Sequence, residues 1–565
     1  MQLQKLLPHK PKKAVFFLLL VAGYLLLATV FTWPLAKQIT THGFGTDEDS
    51  PYHIWHNWWF KFSLLDLKQS PLFTDYIFHP QTIPLAFDAN AFVFSALTLP
   101  LYLLTSNVIL ASNIIFILSF ALSGLGAYLL AKYILKPRKS AEHLAAILAG
   151  VIYAFSPYTF AQAIAGHINL TSTWFLPFYV LFLYRALKEK SWKLGILAGI
   201  FLGLQFLNDL TYTAFTLLFT GLFFLQKILF LQKILHKITM ARKSRSSTAL
   251  RRTVESWGKV LGAAGITSLL IALPVLIPTL KLYRTTLRIE SPLWVQNEWS
   301  ADLLAFFRPN DHSTFFRPLS YTPPRGTVEG TVFLGYTVIL LSLIALINWI
   351  SKKRRGEKEG MGLWIFLAAA FFILSLGPAL HIGGKWQWAI GNFTLMIPLP
   401  FILVHKIPLI GGTQEPTRMN PFVMLPLAIL AANGLMILQK QSQILKKKFQ
   451  ILNSKFQTMF PVLCSLFIVF TLIEFLPLPF PTTDLRVPAI YHEIAKDPGD
   501  FSVLTLPLGF NSGNIQLGPS PIGSLQFVQT VHQKPSFRAT VARLPASAFD
   551  YYRDLPLIKY FLDPS

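Results

Sequence analysis

Long apolar runs separated by short basic stretches set the pattern of this chain. Met1 to Lys13 is basic, and Ala14 to Ala36 follows as an apolar run of 23 residues. Ten further runs lie at 109–135, 143–164, 170–187, 193–209, 211–236, 258–281, 331–350, 361–380, 420–438 and 458–479. Runs of this length and polarity are those of helices that cross a bilayer. They predict an all-α polytopic membrane protein with eleven spans, within a range of ten to thirteen. The first run is too long for a signal-peptide core and no small-residue cleavage site follows, so it reads as an uncleaved helix. Ala91–Thr105 contains Pro100 and is short for a crossing; it reads as interfacial or re-entrant.

Charge orients this layout. With the N-terminus cytoplasmic, the segments before 14 and at 132–139, 185–193, 227–259, 352–358 and 440–455 hold 31 of the 50 Lys and Arg. The opposite face receives 20 of the 26 acids. That asymmetry satisfies the positive-inside rule, and counting Ala91–Thr105 as a span inverts it. The prediction is a multi-pass plasma-membrane protein with an extracytoplasmic tail. Residues 1–480 form the membrane domain, with outer loops 37–108, 282–330 and 381–419. Residues 481–565 form a small extracytoplasmic α/β tail, with β-like runs at Ser502–Leu508 and Leu525–Val531.

Composition agrees: 53% of residues are hydrophobic and 13% charged, against about 25% charged in soluble domains. The net charge of +24 is placed where it anchors topology and meets anionic lipid, so nucleic acid is not an expected partner. Cys464 is the only cysteine, which excludes intrachain disulfides and Cys-based metal sites.

The candidate chemistry lies in the outer loops. Asp47, Glu48 and Asp49 form an acidic triplet just beyond the first span, followed by Tyr52-His53-Ile54-Trp55-His56-Asn57-Trp58-Trp59. Neighbouring carboxylates repel, so one of them can serve as a base, and Asp47 with Asp49 can hold a divalent cation, Mg or Mn. The Trp55–Trp59 segment reads as an interfacial helix at headgroup depth. Pro157 breaks the third span, and His167 beyond it suits an acid/base, a phosphate contact or a helix cap. Asn169, Asp209 and Tyr212 mark the same end, Asp209 as a cap or as a polar group facing an outer cavity. Arg308 and His312 suit an anionic leaving group, and Arg418 is either such a group or an interfacial anchor. Glu474 is expected to snorkel to the interface.

Several stretches resemble one family. These are Asp49-Ser50 with Ile54-Trp55-His56-Asn57-Trp58-Trp59; Asp75-Tyr76-Ile77-Phe78-His79-Pro80; Phe155-Ser156-Pro157-Tyr158 with Gly166-His167-Ile168-Asn169; Leu376-Gly377-Pro378; Arg418 after Ile407-Pro408-Leu409; and, in the tail, Leu506-Pro507-Leu508 with Gln529-Thr530-Val531-His532-Gln533-Lys534-Pro535. With the order of spans, they resemble the GT-C class of integral-membrane glycosyltransferases, and more narrowly a group of bacterial GT-C-like polytopic proteins. The resemblance implies a polyprenyl-phosphate-linked sugar as donor and a glycan, lipid or protein acceptor. It gives the acceptor-activating or metal-binding acid to Asp49 first and Asp47 second; the crowding of acids as Asp-Glu-Asp departs from the family pattern. Two other readings are a transporter or flippase, with polar groups near the membrane midplane, and a non-catalytic envelope assembly protein docking through its tail.

Overall fold

The computed structural model describes residues 11–46, 49–86, 88, 91–137, 140–240, 245–285, 291–323, 328–357, 360–407, 409–449, 455–513, 515–519, 523–544 and 547–562. The apolar runs become helices. In order they are α1 (Pro11–Phe31), α2 (Ser50–Lys61), α3 (Phe92–Thr105), α4 (Val108–Leu135), α5 (Ser140–Ala154), α6 (Pro157–Ala165), α7 (Ile168–Thr171), α8 (Phe175–Glu189), α9 (Trp192–Asn208), α10 (Leu210–Met240), α11 (Arg245–Thr285), α12 (Leu293–Glu298), α13 (Tyr336–Arg354), α14 (Gly362–Ser375), α15 (Phe401–Val404), α16 (Asn420–Phe449) and α17 (Lys455–Phe475).

Among the described residues, eight helical segments are long and apolar enough to cross a membrane: Ala14–Phe31, Val108–Leu135, Glu142–Ala165, Ile168–Glu189, Leu210–Leu229, Arg251–Tyr283, Tyr336–Arg354 and Pro416–Gln441. Two of the other three expected spans fall on shorter apolar helices, Trp192–Asn208 and Gly362–Ser375, and the last falls on α17, Lys455–Phe475. Local stops set the two shorter lengths. α14, for example, gives way to Leu376-Gly377-Pro378, where Gly377 has φ +73°. Its 14 residues rise only about 21 Å, short of a ~30 Å hydrocarbon core.

The bundle is held by close pairs, chiefly α9 with α11, α4 with α5, and α13 with α16. Gly195, Gly199 and Gly203 lie one turn apart on α9. A Cβ at 195 would come 2.7 Å from the Val260 carbonyl oxygen, and one at 203 would come 2.8 Å from Ile271 Cβ. Small residues at this spacing let two helix backbones approach, the usual packing device where lipid supplies no hydrophobic drive between helices.

The loops expected outside meet at one end of the bundle. His42–Phe44 pairs antiparallel with Thr482–Asp484, joining the first loop to the start of the tail. Two expectations about the tail are corrected here. Ser502–Leu508 forms no strand, only a bridge at Val503, and Leu525–Val531 lies in two short helices, Gly523–Phe527 and Gln529–His532. Gly523, Gln526, Phe527, Val528, Gln529 and His532 are buried, so the inward face of these helices mixes polar and apolar side chains. The tail's sheet is instead Phe510–Ser512, flanked antiparallel by Ile515–Leu517 and parallel by Ala539–Val541.

Trp55, Trp58 and Trp59 are at most 1% exposed, so α2 is not laid on the surface. Its face packs against the tail helices, and the indole N–H groups find partners inside: Trp55 donates to Gln529 Oε1 at 2.8 Å and Trp59 to the Pro71 carbonyl at 3.2 Å. Glu474 does not snorkel. It is 7% exposed and accepts from the Thr337 backbone N–H and hydroxyl, the latter at 2.8 Å, satisfying the start of α13.

Candidate active site

The site is built where three chain breaks meet. Ser156 caps α6 with Pro157 at its first position, and α6 ends at Gly166 with φ +89°. Gly166 lies so close to Ser50 that a Cβ there would overlap the Ser50 backbone nitrogen. Gly45, with φ +79°, presses against the Ala163 and Ile164 carbonyls, and the Thr46 N–H donates to Ile164 at 2.7 Å. These two glycines bring the start of α2 onto the end of α6, which sets Asp49 beside His167.

Asp49 Oδ2 stands 2.5 Å from His167 Nε2. His167 Nδ1 faces Gln162 Oε1 at 2.6 Å, while Gln162 Nε2 donates to Glu329 Oε2 at 3.1 Å. The amide is therefore oriented by Glu329, and both ring nitrogens of His167 face acceptors. That polarity requires an imidazolium. The electrostatics agree: burial alone would lower the His167 pKa, but the Asp49 carboxylate raises it overall. Burial would raise the Asp49 pKa, and His167 lowers it overall, so Asp49 is anionic at neutral pH. Its side chain remains 37% exposed and can meet a substrate. His53, one turn along α2, is buried and neutral, its pKa pushed down to about 3 by that burial.

The network continues through Glu329 to Arg418. Arg418 donates to Glu329 Oε1 from Nε at 3.1 Å and Nη2 at 2.7 Å, and its Nη1 lies 3.3 Å from Glu415 Oε2. Burial opposes ionisation of both acids. Arg418 outweighs it at Glu329, whose pKa falls, and does not at Glu415, whose pKa rises. Arg418 is thus engaged in an ion-pair cluster at the head of α16. Beside it, Asn169 Nδ2 donates to Asp209 Oδ2 at 2.9 Å. Asp209 Oδ1 accepts from the Tyr212 N–H at 2.6 Å, capping α10, and burial raises the Asp209 pKa. The Tyr212 hydroxyl donates to the Leu170 carbonyl at 3.1 Å. His167 stands at the N-cap position of α7, yet its side chain makes no capping bond and serves the Asp49–Gln162 link instead.

Arg308 and His312 lie in a different environment. Arg308 is exposed, donates to the Leu319 carbonyl at 3.2 Å and sits 5.9 Å over the Tyr321 ring. His312 lies beside Pro157, Phe160 and Glu474, lining a pocket on α6 with them. Among the described residues, neither shares a hydrogen bond or ion pair with the Asp49 network. Asp47 and Glu48 lie outside the described residues. Of the pair expected to hold a cation, Asp49 already gives one oxygen to His167, and the described residues assemble no group of three or more His, Cys, Asp or Glu suited to a metal ion. The residues described therefore do not make up a cation site.

Four contributors were not singled out by sequence reasoning. Gln162, Glu329 and Glu415 complete the network, and Asp88 ties the tail to α2. Asp88 accepts from His56 Nε2 at 2.8 Å, from the Tyr52 hydroxyl and from the Ala542 N–H at 2.6 Å. These donors outweigh burial and hold its pKa down. The next residue, Arg543, donates to the Gly412 carbonyl at 3.1 Å, close to Glu415 and Arg418. Glu329 and Glu415 carry no spacing signal of their own; only Arg418 before a span hinted at a partner.

The fold is that of the GT-C glycosyltransferases. The chain is similar to the arabinofuranosyltransferase AftD from Mycobacteria, at 11% identity and a TM-score of 0.50, over 94% of this chain and 32% of that one. It is similar to the Archaeoglobus fulgidus oligosaccharyltransferase at 13% identity and a TM-score of 0.48, over 93% of this chain and 64% of that one. For ArnT from Cupriavidus metallidurans bound to undecaprenyl phosphate, the values are 12%, 0.43, 93% and 85%. The chain thus spans less than two thirds of the oligosaccharyltransferase and about a third of AftD. No curated protein matches it. A family profile matches residues 14–399, more than half of the chain, which therefore belongs to the family described as Domain of unknown function (DUF6311).

Proposed function

We propose that this chain is a membrane glycosyltransferase that moves a sugar from a polyprenyl-phosphate donor to a hydroxyl acceptor at the extracytoplasmic face. The proposed orientation places the N-terminus in the cytoplasm and residues 481–565 outside. The observation that carries the reading is the Asp49–His167 pair at the helix-end cluster, with Gln162, Glu329 and Arg418 behind it. A lipid-linked donor keeps its chain in the bilayer while its phosphosugar head reaches groups at the ends of the helices.

In this reading Asp49 accepts a hydrogen bond from the acceptor hydroxyl and takes its proton as the new glycosidic bond forms. Its depressed pKa makes it a weak base before attack, which suits a proton transfer that is late in an oxocarbenium-like transition state. The bond from the anomeric carbon to phosphate oxygen breaks, and the phosphate leaves with the electron pair. His167, as imidazolium, and the cations at Arg418 and Arg543 supply positive potential for that charge. The placement of these groups speaks against the transporter reading. His167 lies between the 142–165 and 168–189 segments, Asp209 just before 210–229 and Arg418 at the start of 416–441, all at ends of spans.

A lipid and glycan comparison of cells with and without the protein tests the proposal. The expected result is accumulation of one polyprenyl-phosphate sugar in its absence. Unchanged lipid-linked sugars with a loss of vesicle uptake would replace it with the transporter.

A further inference from the structure

A second cavity shares Glu329 with the Gln162–His167 network. It has a volume of about 140 Å³ and is lined by Glu298, Trp299, Asp302, Glu329, His381 and Trp386, with Thr417, the neighbour of Arg418, at its edge. At about 30 Å³ per water it holds four to five waters, which is about the space of one sugar ring.

Its lining selects a ligand class. Three acids stand among its described lining residues, a wall better suited to a neutral ligand than to a phosphate. A hard cation is poorly served too. Asp302 already accepts from the Leu304 N–H at 2.9 Å, the Gly383 N–H at 3.2 Å and the Gly384 N–H at 2.7 Å, and Glu329 is bound by Arg418. The lining also offers two half-buried indoles and, in Glu298, carboxylate oxygens that accept from hydroxyls. His381 adds a neutral imidazole. Burial lowers its pKa, its Nε2 meets Asn297 Oδ1 at 3.2 Å, and its ring stacks on Trp386 with planes 27° apart. Flat aromatic faces take the C–H face of a sugar ring, while carboxylates and a neutral imidazole take its hydroxyls. The Asp302 bonds to Gly383 and Gly384, with the bridge between Asp302 and His381, fix this wall across two loops.

We propose that this cavity is a saccharide subsite that takes one neutral sugar unit of a glycan, with Glu329 as the wall it shares with the Asp49–His167 network. The proposal rests on the glycosyl-transfer reading and adds to it a glycan as the substrate class on this side of the site. Trp386 and Trp299 bind the sugar's face and do no chemistry.

Saturation-transfer NMR on the full chain, in a detergent without a sugar headgroup, tests it. The probes are the methyl glycosides of glucose, galactose, mannose, N-acetylglucosamine and arabinofuranose. The expected result is saturation of the ring protons of at least one probe. It should weaken at least tenfold in Trp386→Ala, recover in Trp386→Phe and persist in Asp49→Asn. No saturation of any probe by the unaltered protein, or equal saturation in Trp386→Ala, overturns the subsite. Either outcome leaves the transfer reading to be judged separately by loss of transfer in Asp49→Asn.

Discussion

The Asp49 carboxylate and the His167 imidazole meet at 2.5 Å, and Gln162 closes the other side of the ring at 2.6 Å. The pair is ionised because both ring nitrogens face acceptors. It is accessible because the Asp49 carboxylate lies at the rim of the cluster, and it exists because Gly166 lets α2 start against the end of α6.

Its pH dependence follows. His167 has a raised pKa, so its contribution is complete below the ordinary imidazole value of about 6.5 and is lost as pH rises through the raised value. Asp49 has a depressed pKa, so its contribution is complete above about 3.9 and is lost as pH falls through the depressed value. The Tm difference between the unaltered protein and Asp49→Asn should therefore be largest between about pH 4 and 6.5 and shrink above that range. Thermal unfolding across pH checks it; a difference that grows above neutrality contradicts the ion pair.

Gly166→Ala should separate the pair. Its backbone has φ +89° and a new Cβ would overlap the Ser50 nitrogen, so the cost is about 1–3 kcal/mol, with loss of the raised His167 pKa. Histidine NMR titration reads this directly. An unshifted His167 in that variant would show that the glycine does not set the approach.

Arg418→Ala should be among the most destabilising changes at this end of the bundle, at about 3–5 kcal/mol, because it leaves Glu329 and Glu415 together without their cation. The double change Arg418→Met with Glu329→Gln should cost less than Arg418→Ala alone. Denaturation of both variants beside the unaltered protein measures the difference. Equal costs would mean that the cluster is not energetically coupled.

Asp88→Ala should loosen the tail. Asp88 joins His56 and Tyr52 of α2 to the Ala542 N–H, and a hydrogen bond to a carboxylate is worth roughly 1.5–3 kcal/mol. Amide exchange over 539–544 should rise at least about tenfold, with little change in α4. Unchanged exchange there would place the tail's anchorage elsewhere.

Much of this was legible in the sequence. Apolar runs mark the helices, and the loops expected on one side do converge. Asp49, His167, Asn169, Asp209, Tyr212 and Arg418 fall near that end because each stands at the end of a run. Gln162 was not legible, since a polar residue inside an apolar stretch gives no sign of its partners, and Glu329 finds Arg418 only once the loops close. Trp55–Trp59 misled because a buried aromatic wall and an interfacial belt have the same composition. The tail helices at 523–532 were missed because Gln526, Gln529 and His532 share the buried face with Phe527 and Val528, which leaves no clean hydrophobic period.

The most direct test of the account is the level of polyprenyl-phosphate sugar in cells whose only copy of this protein carries Asp49→Asn, made in the membrane at the normal amount. The account predicts the same accumulation as in cells lacking the protein. A lipid-linked sugar level equal to that of cells with the unaltered protein would contradict it.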